Sequence, residues 1–425
     1  MEQAADARLV RGLRRWDLVA LVINSIIGAG IFGLPSRAFA LAGTYSVLAY
    51  VVSALAIALV ILCFAEVGSR FTATGGSYLY ARSTLGPLVG FQVGWLLWLG
   101  RVAASASLAN LFVDYAGHFV ARAGEAPWRA AVLIMLFSAL AVANVGGVRL
   151  TAMVTNILTA AKLLPLFVLV VVGAFFIDSR SFSVAARPSY GSFSQAALLL
   201  VFTYTGFEGV AIPGGEMRDP KRHLPFALLT GFTVVTLIYV LIQIVCIGTL
   251  PDLAVSERPL ADAGLRILGE PGAALIAVGA LISTVGTLNA LTFATPRLLF
   301  AMSENGQLPA ILSSTHRRFR TPAPAIVLTA AVALGLALFS TFISALTISA
   351  IVRLMAYAST CAALPVLRRQ PGAPAATFVA PMGTVVALGA IALSVWLLTN
   401  SSWNELRLAA FAVLAGFTLY LGCAM

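Results

Sequence analysis

Three ionisable side chains sit in stretches too apolar to suit them: Arg101, Lys162 and Glu208. A charge at membrane depth is costly and marks function, a buried partner or a water path. Arginine keeps its proton, so Arg101 needs a partner, for which Glu66 and Glu208 are the candidate carboxylates; contact with an anionic substrate group is an alternative. Lys162, in Thr159-Ala160-Ala161-Lys162-Leu163-Leu164-Pro165, must be paired or lose its proton; a fixed structural cation is the simpler role. Glu208 has three available roles: proton carrier, gate element or stabiliser of a broken helix. Beside these groups lie two glycine-rich interruptions. Residues 26–35 read IIGAGIFGLP, and a second interruption is Thr205-Gly206-Phe207-Glu208-Gly209. Glycine and proline are poor helix formers, so a helix should break at each place. Broken helix in hydrocarbon exposes N–H and C=O groups that protein or a bound solute must satisfy.

The two breaks offer complementary chemistry. Ile27, Gly28, Ala29 and Gly30 leave amide N–H groups at the start of an outer half-helix. A helix N-terminus carries positive partial charge and favours a carboxylate. The unwound stretch at Thr203, Thr205 and Gly206 offers carbonyls to an ammonium group. A zwitterion needs both ends. The same glycines would also serve close helix packing.

The elements that position these residues follow from composition. Of 425 residues, 60% are hydrophobic and 10% charged, with mean hydropathy +0.96. Soluble domains carry roughly a quarter charged residues. The expected fold is an all-α polytopic membrane protein. Twelve windows of ~20 mostly apolar residues qualify as spans. They lie near 16–42, 45–67, 88–113, 129–147, 150–177, 194–214, 224–249, 271–302, 324–341, 344–367, 378–399 and 404–424. The short alternating segments of a β-barrel are missing.

Breaks in spans one and six, entered from opposite sides, predict an inverted five-plus-five repeat. Repeat one covers about 16–177 and repeat two about 194–367, with two extra helices at about 378–424, all in one domain. Loops are short. The stretch 68–87 is expected to hold an interfacial helix, and 303–323 a short helix of its own.

Net charge is +11. With a cytoplasmic N-terminus, fifteen Lys and Arg fall in inner segments and eight in outer ones. That bias predicts both termini inside the cell. Arg297 and Arg353 are expected near the cytoplasmic interface, where they can snorkel. Scattered basic residues argue against nucleic-acid binding. The basic start, first apolar stretch and Ala38-Phe39-Ala40 resemble a cleaved signal, but the glycine break and eleven later spans favour a retained helix. Cys63, Cys246, Cys361 and Cys423 all lie in apolar spans, as core residues do. Metal-binding and enzyme motifs such as HExxH, a Walker loop or a nucleophile elbow are missing, so no metal, cofactor or catalytic residue is expected.

An ordered set of motifs resembles the amino acid–polyamine–organocation (APC) superfamily, which has the leucine-transporter-type fold. The set is Ile27-Gly28-Ala29-Gly30-Ile31-Phe32, Phe202-Thr203-Tyr204-Thr205-Gly206-Phe207-Glu208, Glu216 with Arg218-Asp219-Pro220, and Ser303-Glu304-Asn305-Gly306-Gln307-Leu308-Pro309. The resemblance spans nearly the whole chain. It implies that Phe202 closes over substrate from outside and that Glu208 acts in structure or gating. It also implies that Lys162 takes the place of a sodium ion, bridging span one to spans five and eight. Ser105, Leu108, Leu291 and Tyr357 fall where such transporters line the side-chain pocket. No acid lies among them, which argues for neutral side chains. In related transporters a heavier partner is attached through an exterior cysteine, and none is evident here.

The expectation is therefore an inner-membrane amino acid transporter working by alternating access, with proton coupling through Lys162. Its partners are the amino acid, a proton and the lipid bilayer. The alternatives are an obligate amino acid or polyamine exchanger and a non-transporting amino acid receptor.

Overall fold

The computed structural model describes residues 9–28, 30–119, 126–182, 187–339, 342–399 and 403–424. Each expected span coincides with a described helix or a broken pair of helices. The first span is α1 (Arg15–Ile26) and α2 (Leu34–Ala42), joined by a short 3-10 turn at Gly30–Phe32. Then come α3 (Ser46–Gly68), α4 (Ser77–Leu85), α5 (Pro87–Phe119), α6 (Ala126–Val145) and α7 (Val148–Gly173). The second broken span is α8 (Tyr190–Thr203) followed by 3-10 turns at Phe207–Ala211 and Gly214–Glu216. After it run α9 (Pro220–Thr249), α10 (Pro259–Leu268), α11 (Glu270–Ala294), α12 (Pro296–Glu304), α13 (Ala323–Phe339) and α14 (Phe342–Arg369). Helices α15 (Gly383–Thr399) and α16 (Trp403–Ala424) complete the chain.

Six stretches of described helix are long and apolar enough to cross a membrane: 34–68, 87–114, 127–145, 148–176, 220–249 and 270–304. The protein is a multi-pass membrane protein. The stretch 68–87, where an interfacial helix was expected, holds α4, and the loop after α12 carries a short 3-10 turn at Ala310–Ser313. Helix α10, in the connection before α11, had no counterpart among the expected elements.

Local chemistry explains several boundaries. The Arg14 amide donates to Asp17 at 2.9 Å, and Asp17 places negative charge in the first turn of α1. Asp219 caps α9 by accepting from the Arg222 amide, and Pro220 fills the first helical position, where a missing N–H costs nothing. The Arg218-Asp219-Pro220 motif is therefore a helix start. The Gly306 to Pro309 loop is pinned to α4 and α5. Tyr78 donates to Gln307 at 2.7 Å, and Gln307 donates to the Pro87 carbonyl at 3.0 Å.

Buried apolar residues form two clusters. One gathers α1, α3, α7, α8 and α9, and the other gathers α5, α6, α12 and α13. Small residues let α11 approach its neighbours. A methyl group on Gly279 would lie 2.6 Å from Pro165 of α7, and one on Gly286 would lie 2.6 Å from Asn24 of α1. This close approach brings α1, α7 and α11 together at the first break.

Candidate substrate site at two broken helices

Helix α1 ends at Ile26, and its last carbonyls have no partner within the helix. Side chains from three other helices supply the missing donors. Lys162 of α7 donates to the Ile27 carbonyl at 2.6 Å and to that of Asn24 at 3.4 Å. Ser283 of α11 donates to Ile27 at 3.1 Å and to Gly28 at 3.3 Å. One turn on, Thr287 donates to Asn24 at 3.0 Å and to Ile27 at 3.2 Å. Tyr239 of α9 donates to the Ile26 carbonyl at 3.2 Å and lies 3.5 Å from that of Thr203. Lys162 is fully buried. It ties the end of α1 to α7, at a point where α11 also contributes donors. Ser283, Thr287 and Tyr239 were not singled out from the sequence. The signal of the serine and threonine is weak, because a short hydroxyl side chain in an apolar helix also bonds its own i−4 carbonyl, and a lone tyrosine in an apolar helix reads as core.

At the second break, Gly206 has φ +114, a conformation suited to glycine. A methyl group there would strike the Ser25 carbonyl. The two breaks therefore meet backbone to backbone. Glu208 closes the second break on itself: its Oε2 accepts from the Gly206 amide at 2.9 Å and from the Tyr357 hydroxyl at 2.9 Å. Its Oε1 faces two guanidinium groups, Arg101 at 3.4 Å and Arg353 at 3.7 Å. Arg101 also donates to Thr295 at 3.1 Å, and its guanidinium packs on Gly209. Arg353 donates to the Thr205 hydroxyl at 2.7 Å.

Of the two candidate partners for Arg101, the structure selects Glu208. Glu66 is held by Arg70, just past the end of α3, and by Arg368 of α14. Two expectations are corrected. Arg297 does not snorkel: it is fully buried and forms a two-pronged pair with Glu216, at 2.6 and 2.9 Å. Arg353 turns to Glu208 and Thr205, because the broken helix offers it a carboxylate.

The remaining expected site residues divide. Ser105 is buried and donates to the Arg101 carbonyl one turn back, at 2.9 Å. Leu291 is buried, and its carbonyl accepts from Thr295 at 2.6 Å. Ile27 is buried, Gly28 half-buried and Gly30 exposed. Ala29 lies outside the described residues. Thr203 is buried, and its hydroxyl makes no hydrogen bond among the described residues. Phe202 is 41% exposed in this conformation. Tyr357 spends its hydroxyl on Glu208.

On the opposite side of the breaks the backbone is knitted shut. The Leu13 amide donates to Glu216 and the Arg218 amide to Leu13, each at 3.0 Å. The Gly75 amide donates to Ile212 at 2.8 Å, and the Gly215 amide to the Thr74 hydroxyl at 3.1 Å.

The sequence profile described as amino acid permease matches residues 13–417, nearly the full length. The chain belongs to the amino acid permease family. This places the permease in the APC superfamily that its motifs resemble, among transporters and not enzymes. It is 29% identical to the methylthioribose transporter of Bacillus subtilis, over 93% of this chain and 89% of that one. It is also 29% identical to the serine/threonine exchanger of the same organism, over 95% and 94% of the two chains. A branched-chain amino acid permease of Bacillus subtilis is 27% identical over 98% of this permease and 94% of its own length.

Proposed function

We propose that this permease carries L-amino acids across the cell (inner) membrane by alternating access, driven by protons through Lys162. The observation that carries the reading is the meeting of the two breaks at Gly206 and Ser25. It brings helix-start amides of the first span beside the unwound segment of the sixth. The substrate carboxylate binds at Gly28 to Gly30. Its ammonium binds near Thr203, Thr205 and Gly206, where the Thr203 hydroxyl has no hydrogen-bond partner among the described residues. Phe202 covers the site when it closes.

The chain crosses the membrane twelve times, with two inverted five-span repeats and both termini cytoplasmic. The backbone pairing of Leu13 with Met217 then seals the cytoplasmic side while Gly30 and Phe202 stay open to the other. Lys162 is suited to coupling because its ammonium holds the carbonyls that end α1. Losing the proton weakens that charge-assisted hold and frees the inner half-helix to move. The buried carboxylates Glu66, Glu208 and Glu216 all face arginines, which argues against substrates with cationic side chains. A neutral side chain is the sequence expectation, since no acid lies among Ser105, Leu108, Leu291 and Tyr357.

The likeness to a serine/threonine exchanger favours obligate exchange as the second reading, with Lys162 a fixed cation. Proteoliposomes separate the two. Labelled amino acids are offered under imposed proton or sodium gradients to wild type and to Lys162→Ala. Proton-driven accumulation lost in the variant, with exchange retained, supports coupling at Lys162. Accumulation driven by sodium, or untouched by the substitution, overturns it. Exchange alone, with no gradient effect in wild type, establishes the second reading.

A further inference from the structure

The three buried carboxylates among the described residues are used unequally. Glu216 takes a two-pronged pair from Arg297, and Glu66 takes one from Arg368. Such forks are the strong arrangement of guanidinium and carboxylate. Glu208 is different. One of its oxygens is shared by two guanidiniums at 3.4 and 3.7 Å, and the other is spent on the Gly206 amide and the Tyr357 hydroxyl. Both arginines are permanently charged. Two cations therefore stand against one carboxylate that forks with neither.

The surplus charge falls on Arg353. Arg101 is 1% exposed and is further tied to Thr295. Arg353 keeps 18% of its side chain exposed, beside Thr205 of the second break. Its Nε atom is the one that faces Glu208 Oε1, at 3.7 Å, too far for a hydrogen bond. A guanidinium that forks with no carboxylate and stays partly exposed can still gain the strong two-pronged arrangement from a ligand.

We propose that the side-chain end of this site takes a carboxylate, so that the substrate class is a dicarboxylic L-amino acid. This rests on the amino acid transport reading above and narrows it. The α-carboxylate meets Gly28 to Gly30, the ammonium meets the second break, and the second carboxylate pairs with Arg353. The pairing of every buried carboxylate among the described residues with arginine argues against cationic side chains, and the arginine surplus then selects an anionic one over a neutral one.

The test compares near-isosteric pairs, aspartate with asparagine and glutamate with glutamine, on the full chain in nanodiscs and proteoliposomes. Binding and uptake are measured with labelled amino acids, with succinate and chloride as competitors. Wild type is expected to favour at least one acid over its amide by tenfold or more. In Arg353→Gln that ratio is expected to fall close to one. Equal or better handling of both amides by wild type overturns the proposal, and needs no variant to fold. An unchanged acid-to-amide ratio in a folded Arg353→Gln protein overturns it too. Chloride or succinate competing as well as the acids shows a simple anion site and also overturns it. If neutral amino acids are carried and acids are not, only this inference fails. If no amino acid binds or moves, the transport reading fails with it.

Discussion

Gly206 rests directly on the carbonyl of Ser25, leaving no space between the two broken helices for a single methyl group. Gly206→Ala must move one helix against the other and also hold a left-handed backbone. The backbone strain alone costs about 1 to 3 kcal/mol. Uptake is expected to fall more than tenfold, with a lower melting temperature in detergent. Wild-type uptake by a folded Gly206→Ala protein would show that the breaks do not need this contact.

Ser283 and Thr287 share the Ile27 carbonyl with Lys162. Each single alanine substitution should cost about 1 kcal/mol, the net worth of a hydrogen bond. Combined with Lys162→Ala, their effects on melting should depart from additivity, since contacting residues couple. A double-mutant cycle that closes to zero would mean the three donors act independently.

Sodium should be dispensable. The Lys162 ammonium already occupies the carbonyl cluster at the end of α1. Replacing sodium by choline on both sides of the membrane is expected to leave the initial rate of uptake unchanged. A several-fold drop would place a sodium site in this protein and remove Lys162 from that role.

Glu216 and Arg297 form a desolvated pair beside the Leu13 to Met217 backbone contact. Removing one partner strands the other charge and costs about 3 to 5 kcal/mol, whereas replacing both by apolar residues costs much less. Arg297→Met should therefore melt earlier than Arg297→Met combined with Glu216→Leu. Singly labelled cysteines near Leu13 should become more reactive in Arg297→Met, because the same segment closes this side.

Tyr357 gives its hydroxyl to Glu208, a hydrogen bond to a charged group worth about 1.5 to 3 kcal/mol. Tyr357→Phe keeps the ring that stacks on Phe207 at 5.3 Å and loses that donor. Weaker substrate binding, read by competition against a labelled amino acid, is the expected result. Unchanged affinity would assign Glu208 a purely local part in shaping the break.

Apolar runs, glycine clusters and loop charge made the helix positions and both breaks legible without a structure. Those features act locally: a helix in hydrocarbon must satisfy its own backbone, and glycine weakens it wherever it falls. Residue order is thus enough to say where helices form, where two of them stop, and that Arg101, Lys162 and Glu208 need partners. It could not name the partners, because pairing depends on which helix faces which across hundreds of residues. Helix packing turns Arg101 to Glu208 and not Glu66, and brings Arg353 to join them. It alone placed Ser283, Thr287 and Tyr239 on the open end of α1. Arg297 marks the limit most clearly. An arginine late in an apolar segment suits the interface by local rules, yet the turn after the second break delivers Glu216 to it and keeps it buried.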